Sequence, residues 1–487
     1  MVYPVTTRAF GLAIIVLSGL QLMVVLDGTV ANLALAPLQA DLGLSDAGRN
    51  WVLTSYALAF GGLMLLGGRL GDAFGRKKMF LAGVVLFTIA SLLCGLAINE
   101  ATLVAARALQ GVGAAVASPT AFALVATTFA PGPVRNQAIA IYAAMTGIGS
   151  IAGLIIGGAL TQVSWRWIFL INVPIGIVIV VLAVISLKET DGVRLALDFP
   201  GAILATLGCT GVVLALSEGT ELGWTSPLVM GSFVAGVLLL GAFLLVERRA
   251  ENPLLPFSLF SSRDRVATFV AIFFAGGIMF ALAAFVALFV QDILGYTPLA
   301  AGLAFVPFAF GLGAAAFITS QLVVRIQPRW LVMTGAVIMV GWLLFSVATM
   351  DADSAYFPGI FFPVIGIGFG VGMASIPLPL CAIAGVPATE IGPLTAIALV
   401  AQTLGGPVAL AVIGALVTSR TLSLGGTTGP AVDMNAVQLD ALSSGYMFAL
   451  FCCAIFAVVA GVAASLIRFT PGQVAQAQAA QEDAQSA

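Results

Sequence analysis

Fourteen runs of apolar residues, each long enough to cross a lipid bilayer as a helix, occupy this chain almost from end to end, and few folds can accommodate them. They fall at about 9–37, 50–70, 78–97, 101–127, 134–162, 166–187, 200–217, 226–247, 266–294, 298–324, 328–350, 356–387, 392–418 and 445–469. About 20 residues suffice to span the hydrocarbon core. With 61% hydrophobic and 8% charged residues, a water-soluble fold could not cover its surface with polar groups. A transmembrane barrel would need strands of about ten residues alternating apolar with polar, a pattern absent here. The expected fold is therefore an all-α polytopic membrane protein. Its first run is too long for the core of a signal peptide and reads as a retained span.

Basic residues set the orientation. If the N-terminus is cytoplasmic, that side receives Arg8, the cluster at 68–78, Arg135, Lys188, Arg194, Arg248, Arg249, Arg263, Arg265, Arg325, Arg329 and Arg468. The opposite side receives Arg49, Arg166 and Arg420. By the positive-inside rule both termini are expected in the cytoplasm, with the chain in the cell membrane. A net charge of −2 gives no sign of a nucleic-acid partner. Cys94, Cys209, Cys381, Cys452 and Cys453 lie in apolar runs without metal-ligand spacing and are expected as free thiols; no cofactor or metal is implied.

Between the second and third runs lies a charged turn, Gly-Arg-Leu-Gly-Asp-Ala-Phe-Gly-Arg-Lys-Lys at 68–78. Asp72 set against Arg69, Arg76, Lys77 and Lys78 at a membrane face could hold two helices together in one state and release them in another. Gly68, Gly71 and Gly75 favour that reading over basic residues that merely set topology, because small residues permit close helix approach.

An internal repeat suggests two lobes. Shifted by 256 residues, Gly149, Gly158, Ala159 and Leu160 fall on Gly405, Gly414, Ala415 and Leu416, and Arg325 and Arg329 weakly echo the charged turn. The implied division is a six-helix lobe at 1–190, two additional helices at 191–250, an interfacial linker at 251–265, a second six-helix lobe at 266–470, and a tail at 471–487. A substrate site is expected at the midplane between the lobes.

Asp27 is the acid placed well inside a predicted span, and Arg107 is the comparably placed base. Each carries an insertion cost of at least about 2.5 to 3.5 kcal/mol and calls for a partner. Asp27 lies about 28 Å along the first helix and Arg107 about 10 Å into the fourth from the opposite side, so both fall in the outer half of the membrane. Meeting and parting of this pair would make a proton switch. The chain has no histidine, so a carboxylate must serve. The competing reading is that Asp27 hydrogen-bonds locally around Thr29 and Asn32. Asp292, at the outer end of the ninth run, is a poorer candidate.

The stretches LDGTVANLALAP (26–37), GRLGDAFGRKK (68–78), RALQGVGAA (107–115), GIGSIAGLIIGG (147–158) and WRWIFLINVPIG (165–176) follow one another in a telling order. Together they resemble the signatures of the fourteen-span drug:proton antiporters of the major facilitator superfamily. SDAGRNWVLTSYALAFGGLMLLGGRLGD (45–72) and GGTTGP (425–430) look most like actinobacterial EfpA-type efflux pumps. The resemblance implies the major facilitator fold with fourteen transmembrane helices, proton-driven export, a cytoplasmic gate at Gly68, Arg69, Asp72, Gly75, Arg76 and Lys77, and an antiporter motif at Gly149, Gly153, Gly157 and Gly158. Those four glycines are spaced to give one smooth helix face. Three positions depart from the family pattern: Ala73 stands where a basic residue is usual, Leu154 where a Pro is usual, and Ala36 where a Pro is common.

The interior offers Met23, Gln110, Met279, Phe280, Phe305, Phe308 and Gln402, an adaptable apolar and aromatic lining with a few amides. Such a cavity suits lipophilic or amphipathic drugs, and multidrug efflux with antibiotic resistance is the expected function. The same cavity would permit an exporter or flippase of an endogenous lipid. An intramembrane enzyme is disfavoured because it would need paired acids, a histidine or a nucleophile cluster at membrane depth. A channel would show flux without proton exchange. Expected partners are small-molecule substrates, protons and membrane lipids; contact with lipid on every side makes a monomer the default, without ruling out a dimer.

Overall fold

The computed structural model describes residues 8–129, 133–189, 198–249, 260, 262–350, 355–386, 388–474 and 476. Fourteen helices among them are long and apolar enough to cross a membrane: α1 Gly11–Leu33, α2 Asp46–Phe74, α3 Arg76–Gly95, α4 Glu100–Val125, α5 Gln137–Val163, α6 Trp167–Ser186, α7 Phe199–Thr220, α8 Pro227–Glu247, α9 Arg263–Ile293, α10 Pro298–Leu322, α11 Pro328–Thr349, α12 Tyr356–Ile383, α13 Leu394–Ser423 and α14 Ala436–Ser465. Most of the expected linker at 251–265 and of the tail at 471–487 lies outside the described residues. An even number of spans puts both chain ends on one side, called here the terminal end; the charged turn at 68–78 shares it.

Local chemistry explains where the helices start and break. Ser45 caps α2 by accepting from Gly48 N at 3.0 Å, and Asn99 and Thr102 form a reciprocal capping box at the start of α4. The apolar run from 9 to 37 is not one helix. Pro37 has no N–H to offer Leu33 and its ring crowds that carbonyl, so α1 stops at Leu33 and a short helix resumes at Leu35–Leu42. Pro307 and Pro377 likewise follow breaks at Phe305 and Ile376 within α10 and α12. The Gly-, Ser- and Thr-rich stretch at 419–443 holds only a short loop. Helix α13 runs on to Ser423, and Asn435 with Gln438 nucleates α14 at Ala436.

The two six-helix halves pack alike. Helices α1 and α5, α2 and α4, and α3 and α4 are partners in the first half; α9 and α13, α10 and α12, and α11 and α12 are their counterparts eight helices on. Small residues make these seams tight: a Cβ on Gly67 would strike the Ala115 carbonyl, and one on Gly311 would strike the Ile365 carbonyl. The sequence repeat has a spatial meaning. Gly149 and Gly405 each face the first helix of their own half, whereas Gly158 approaches Leu299 of α10 and Gly414 approaches Asn50 of α2 across the boundary. Helix α7 lies along that boundary, touching both α2 and α13, and α8 packs on α7.

Closure is uneven. At the end away from the termini, one apolar cluster joins both halves, running from Leu26, Val30 and Leu33 to Leu282, Phe285, Leu410 and Ile413. Toward the terminal end, one cluster belongs to the first half, around Leu17, Phe80 and Leu124, and another to the second, around Phe269, Leu331 and Ile397. The buried apolar core is thus shared by the halves at the far end and divided between them toward the terminal end.

Candidate functional site

The structure brings Asp27 and Arg107 together. Arg107 Nη1 donates to Asp27 Oδ2 at 2.7 Å, with both side chains 1% exposed. Asp27 Oδ1 accepts from Gln110 Nε2 and from Asn172 Nδ2, each at 2.8 Å. The guanidinium is anchored from its other edges: Nε donates to the Val52 carbonyl at 2.9 Å, Nη1 also donates to Gln110 Oε1 at 2.7 Å, and its plane lies over the Tyr56 and Phe169 rings at 4.4 and 5.5 Å. Gln110 donates further to Ser91 Oγ at 2.8 Å. The knot therefore ties α1, α2, α3, α4 and α6 of the first half around a single charge pair. Three N–H donors and a matched positive charge satisfy both oxygens of the buried carboxylate.

Local backbone features make this possible. Helix α6 breaks at Ile171 because Pro174 cannot donate to Leu170, and Asn172 opens the next segment facing Asp27. Thr29 and Asn32 donate to their own helix at Val25 O and Gly28 O, both at 2.9 Å, so the local reading of Asp27 is not what the structure shows. Sequence reasoning missed Asn172, Ser91 and Tyr56. Asn172 sits in the quoted stretch 165–176, where a polar amide in an otherwise apolar run was the available signal.

Two residues expected in the cavity are elsewhere. Met23 is fully buried in the apolar core of the first half, and Gln110 is fully buried as a ligand of the Asp27 pair. Met279, Phe280, Phe305 and Phe308 are half-buried and Gln402 is exposed, all in the second half; Phe280, Phe305 and Phe308 pack against the far-end apolar cluster.

At the charged turn, Gly75 holds φ at +101°, a conformation few other residues adopt, and thereby reverses the chain between α2 and α3. Asp72 in the last turn of α2 pairs across Gly75 with Arg76 at the start of α3, Nη2 to Oδ1 at 2.8 Å. Lys77 Nζ donates to the carbonyls of Val184 at 2.9 Å and Leu187 at 2.6 Å, which pins the turn to the end of α6. Gly68 packs against Pro119, and a Cβ on Gly71 would strike Thr120, so both belong to the α2–α4 seam. The turn is thus bound to its own half. The glycines of α5 divide their work, which corrects the single smooth face expected of them: Gly149, Gly153 and Gly157 receive Val25, Thr29 and Val30 of α1, while Gly158 faces α10.

Comparison with known proteins agrees with this architecture. The Major Facilitator Superfamily model matches residues 17–410. The chain belongs to the major facilitator superfamily. Among superfamily members it is 54% identical over 482 residues to the MFS-type transporter EfpA of Mycobacterium tuberculosis, covering 99% of this chain and 91% of that one. It is 38% identical to the puromycin resistance protein pur8 of Streptomyces alboniger, covering 92% and 88%. The superfamily fold is also seen in a bacterial homologue of the human lysosomal transporter Spinster, with a TM-score of 0.69 at 16% identity over 96% of this chain and all of that one. As a superfamily member the chain is a multi-pass membrane transporter, not an enzyme, with small molecules as its cargo class.

Proposed function

We propose that this protein is a proton-coupled antiporter that exports lipophilic or amphipathic drugs from the cytoplasm or inner leaflet by alternating access. The buried Asp27–Arg107 pair carries this reading. A lone ion pair with 1% exposure is costly in a membrane, and a structural tie could be made more cheaply from apolar contacts. Its value lies in being broken: when α1 and α4 shift, the carboxylate loses its guanidinium and takes up a proton, and when they return the proton leaves. Tying five helices to one titrating group converts that exchange into a change of packing.

Orientation completes the reading. With both termini in the cytoplasm, the terminal end, where the apolar core is divided, faces the cytoplasm, and cargo enters between the halves toward Met279, Phe280, Phe305 and Phe308. The turn at 68–78 then lies at the cytoplasmic rim, poised to meet the second half when that side closes. The glycines of α5 let α1 slide closely as the halves rock. Export of a drug is supported by the resistance named for the Streptomyces alboniger relative.

The test is ethidium efflux from proteoliposomes under an imposed pH gradient, native protein against Asp27→Asn at equal reconstitution. Gradient-driven efflux that is lost in the variant is the expected result. Efflux that persists in the variant would place coupling on another group, and no efflux by the native protein would remove the drug reading.

A further inference from the structure

The two amides beside Asp27 are held very differently. Gln110 is pinned at both ends of its amide: Nε2 donates to Asp27 Oδ1 and to Ser91 Oγ, each at 2.8 Å, and Oε1 accepts from Arg107 Nη1 at 2.7 Å and from the Cys94 thiol at 3.7 Å. Asn172 is held at one end alone. Its Nδ2 donates to Asp27 Oδ1 at 2.8 Å, while its Oδ1, in a residue with 0% exposure, has no hydrogen-bond partner among the described residues. That oxygen therefore caps none of the N–H groups at the start of the helical segment Asn172–Ser186. A buried amide oxygen without a donor is unfavourable and calls for a reason.

Protonation inverts what Asp27 needs. As a carboxylate it only accepts; as an acid it carries one O–H that must find an acceptor in a buried site. The titratable and charged side chains that face it are Tyr56 from α2, Cys94 from α3 and Arg107 from α4; α5 packs on α1 through glycines, and α6 offers Phe169 and Asn172. Arg107 has no acceptor to give, and Gln110 could present its oxygen only by abandoning Ser91, Arg107 and Cys94. Asn172 is free of such ties. A half-turn about its Cβ–Cγ bond exchanges oxygen and nitrogen within nearly the same shape. Because Oδ1 has no partner to give up, the turn breaks no hydrogen bond except the one that protonation has already removed.

We propose that Asn172 is a swivelling partner of Asp27: its N–H holds the ionised carboxylate, and its carbonyl oxygen turns to accept the O–H once Asp27 is protonated. The proton passes from water to Asp27 Oδ1 and later back to water. Arg107 and Asn172 exchange hydrogen bonds, and no other bond is made or broken. One side chain thereby satisfies both protonation states of a buried carboxyl. The inference rests on the proton-coupling part of the function proposed above and adds to it the residue that holds the neutral state.

Solid-state NMR of the full chain in lipid bilayers, with carbon-13 at aspartate Cγ and nitrogen-15 at asparagine Nδ2, reads both parts of this event. Among the described residues Asp27 is the aspartate whose carboxyl meets an asparagine side chain, so dephasing of an aspartate carbon by asparagine nitrogen marks it. Asn172→Gln, whose amide carries no label, should abolish that dephasing and so assigns it. On acidification the Asp27 carbon shift should pass from carboxylate to acid. Over the same transition the dephasing should fall roughly two-fold or more, because dipolar coupling weakens with the cube of distance and the swivel puts oxygen where nitrogen was. Dephasing that stays constant through the transition would overturn the proposal. A carboxyl that never leaves its ionised form would instead remove the proton reading beneath it, a separate result that takes the swivel with it. The fall in dephasing should persist in Tyr56→Phe, which removes the other unpartnered hydroxyl nearby; its loss there would move the acceptor role to Tyr56. In proteoliposomes, Asn172→Leu, of similar size and without polar atoms, should lower gradient-driven efflux about tenfold, the scale of a hydrogen bond to a charged group. Native efflux in folded Asn172→Leu protein would count against the swivel as decisively as constant dephasing.

Discussion

Arg107 and Asp27 meet at 2.7 Å although 80 residues apart in sequence, and among the described residues of the first half no other charged side chain is as little exposed. Removing one partner strands the other in a low-dielectric core. Arg107→Gln or Asp27→Asn alone is expected to destabilise the protein by about 3–5 kcal/mol, whereas the double variant recovers most of that loss because no bare charge remains. Coupled transport stays lost in all three. Thermal unfolding in detergent beside proton-driven efflux separates the two effects; a double variant no more stable than the singles would show that the pair is not an isolated charge balance.

Gly158 and Gly414 hold equivalent places in the two halves but meet different neighbours. A Cβ on Gly158 would sit 2.6 Å from the Leu299 backbone, which must move, whereas one on Gly414 would sit 2.8 Å from the end of the Asn50 side chain, which can swing away. Gly158→Ala is therefore expected to cost about 1–3 kcal/mol and to slow transport, with Gly414→Ala close to native in both. Equal losses from the two substitutions would contradict the asymmetry.

Much of the architecture was legible because a bilayer makes helix length and hydropathy decisive, and fourteen spans follow from that alone. The ion pair was legible for a related reason: charge is so rare at membrane depth that Asp27 and Arg107 had few possible partners. The cavity was harder. Met23 and Gln110 resemble lining residues by type, yet one fills the core and the other serves the carboxylate, because facing direction depends on packing that a run of Ala, Gly and Val does not encode. Arg49 shows the same limit. It reads as an exposed marker of topology, but the capped turn at Ser45 buries it between Gln39 and Asp46.

At the charged turn, stability and transport are expected to separate. The Asp72–Arg76 pair is partly exposed, at 41% and 26%, so Asp72→Asn should change unfolding stability by less than about 0.5 kcal/mol. If the turn serves as a gate, its main contacts belong to the state in which the terminal end is closed, and efflux should fall several-fold in this variant without loss of folded protein. Lys77→Ala, which gives up two carbonyl contacts to α6, should weaken the fold more than Asp72→Asn does. Native efflux in Asp72→Asn would remove the gating role.

The far-end turn supplies a pH prediction outside the membrane-spanning helices. Asp41 accepts from Arg166 Nη1 at 2.7 Å and from Trp165 Nε1 at 2.9 Å, and these donors hold its carboxyl below the ordinary aspartate value. A carboxylate whose folded-state value is depressed contributes stability above its unfolded value of about 3.9 and loses that contribution as the pH falls through the lower folded value. Asp41→Asn should therefore lower the unfolding temperature at pH 7. The gap to native should narrow once the pH drops below about 3.9 and close beneath the folded value. The effect is modest because the pair is 36% and 50% exposed, and 1 M salt should reduce it further. A gap that stays constant from pH 7 to pH 3 would mean that Asp41 acts there through shape and hydrogen bonding alone, without its charge.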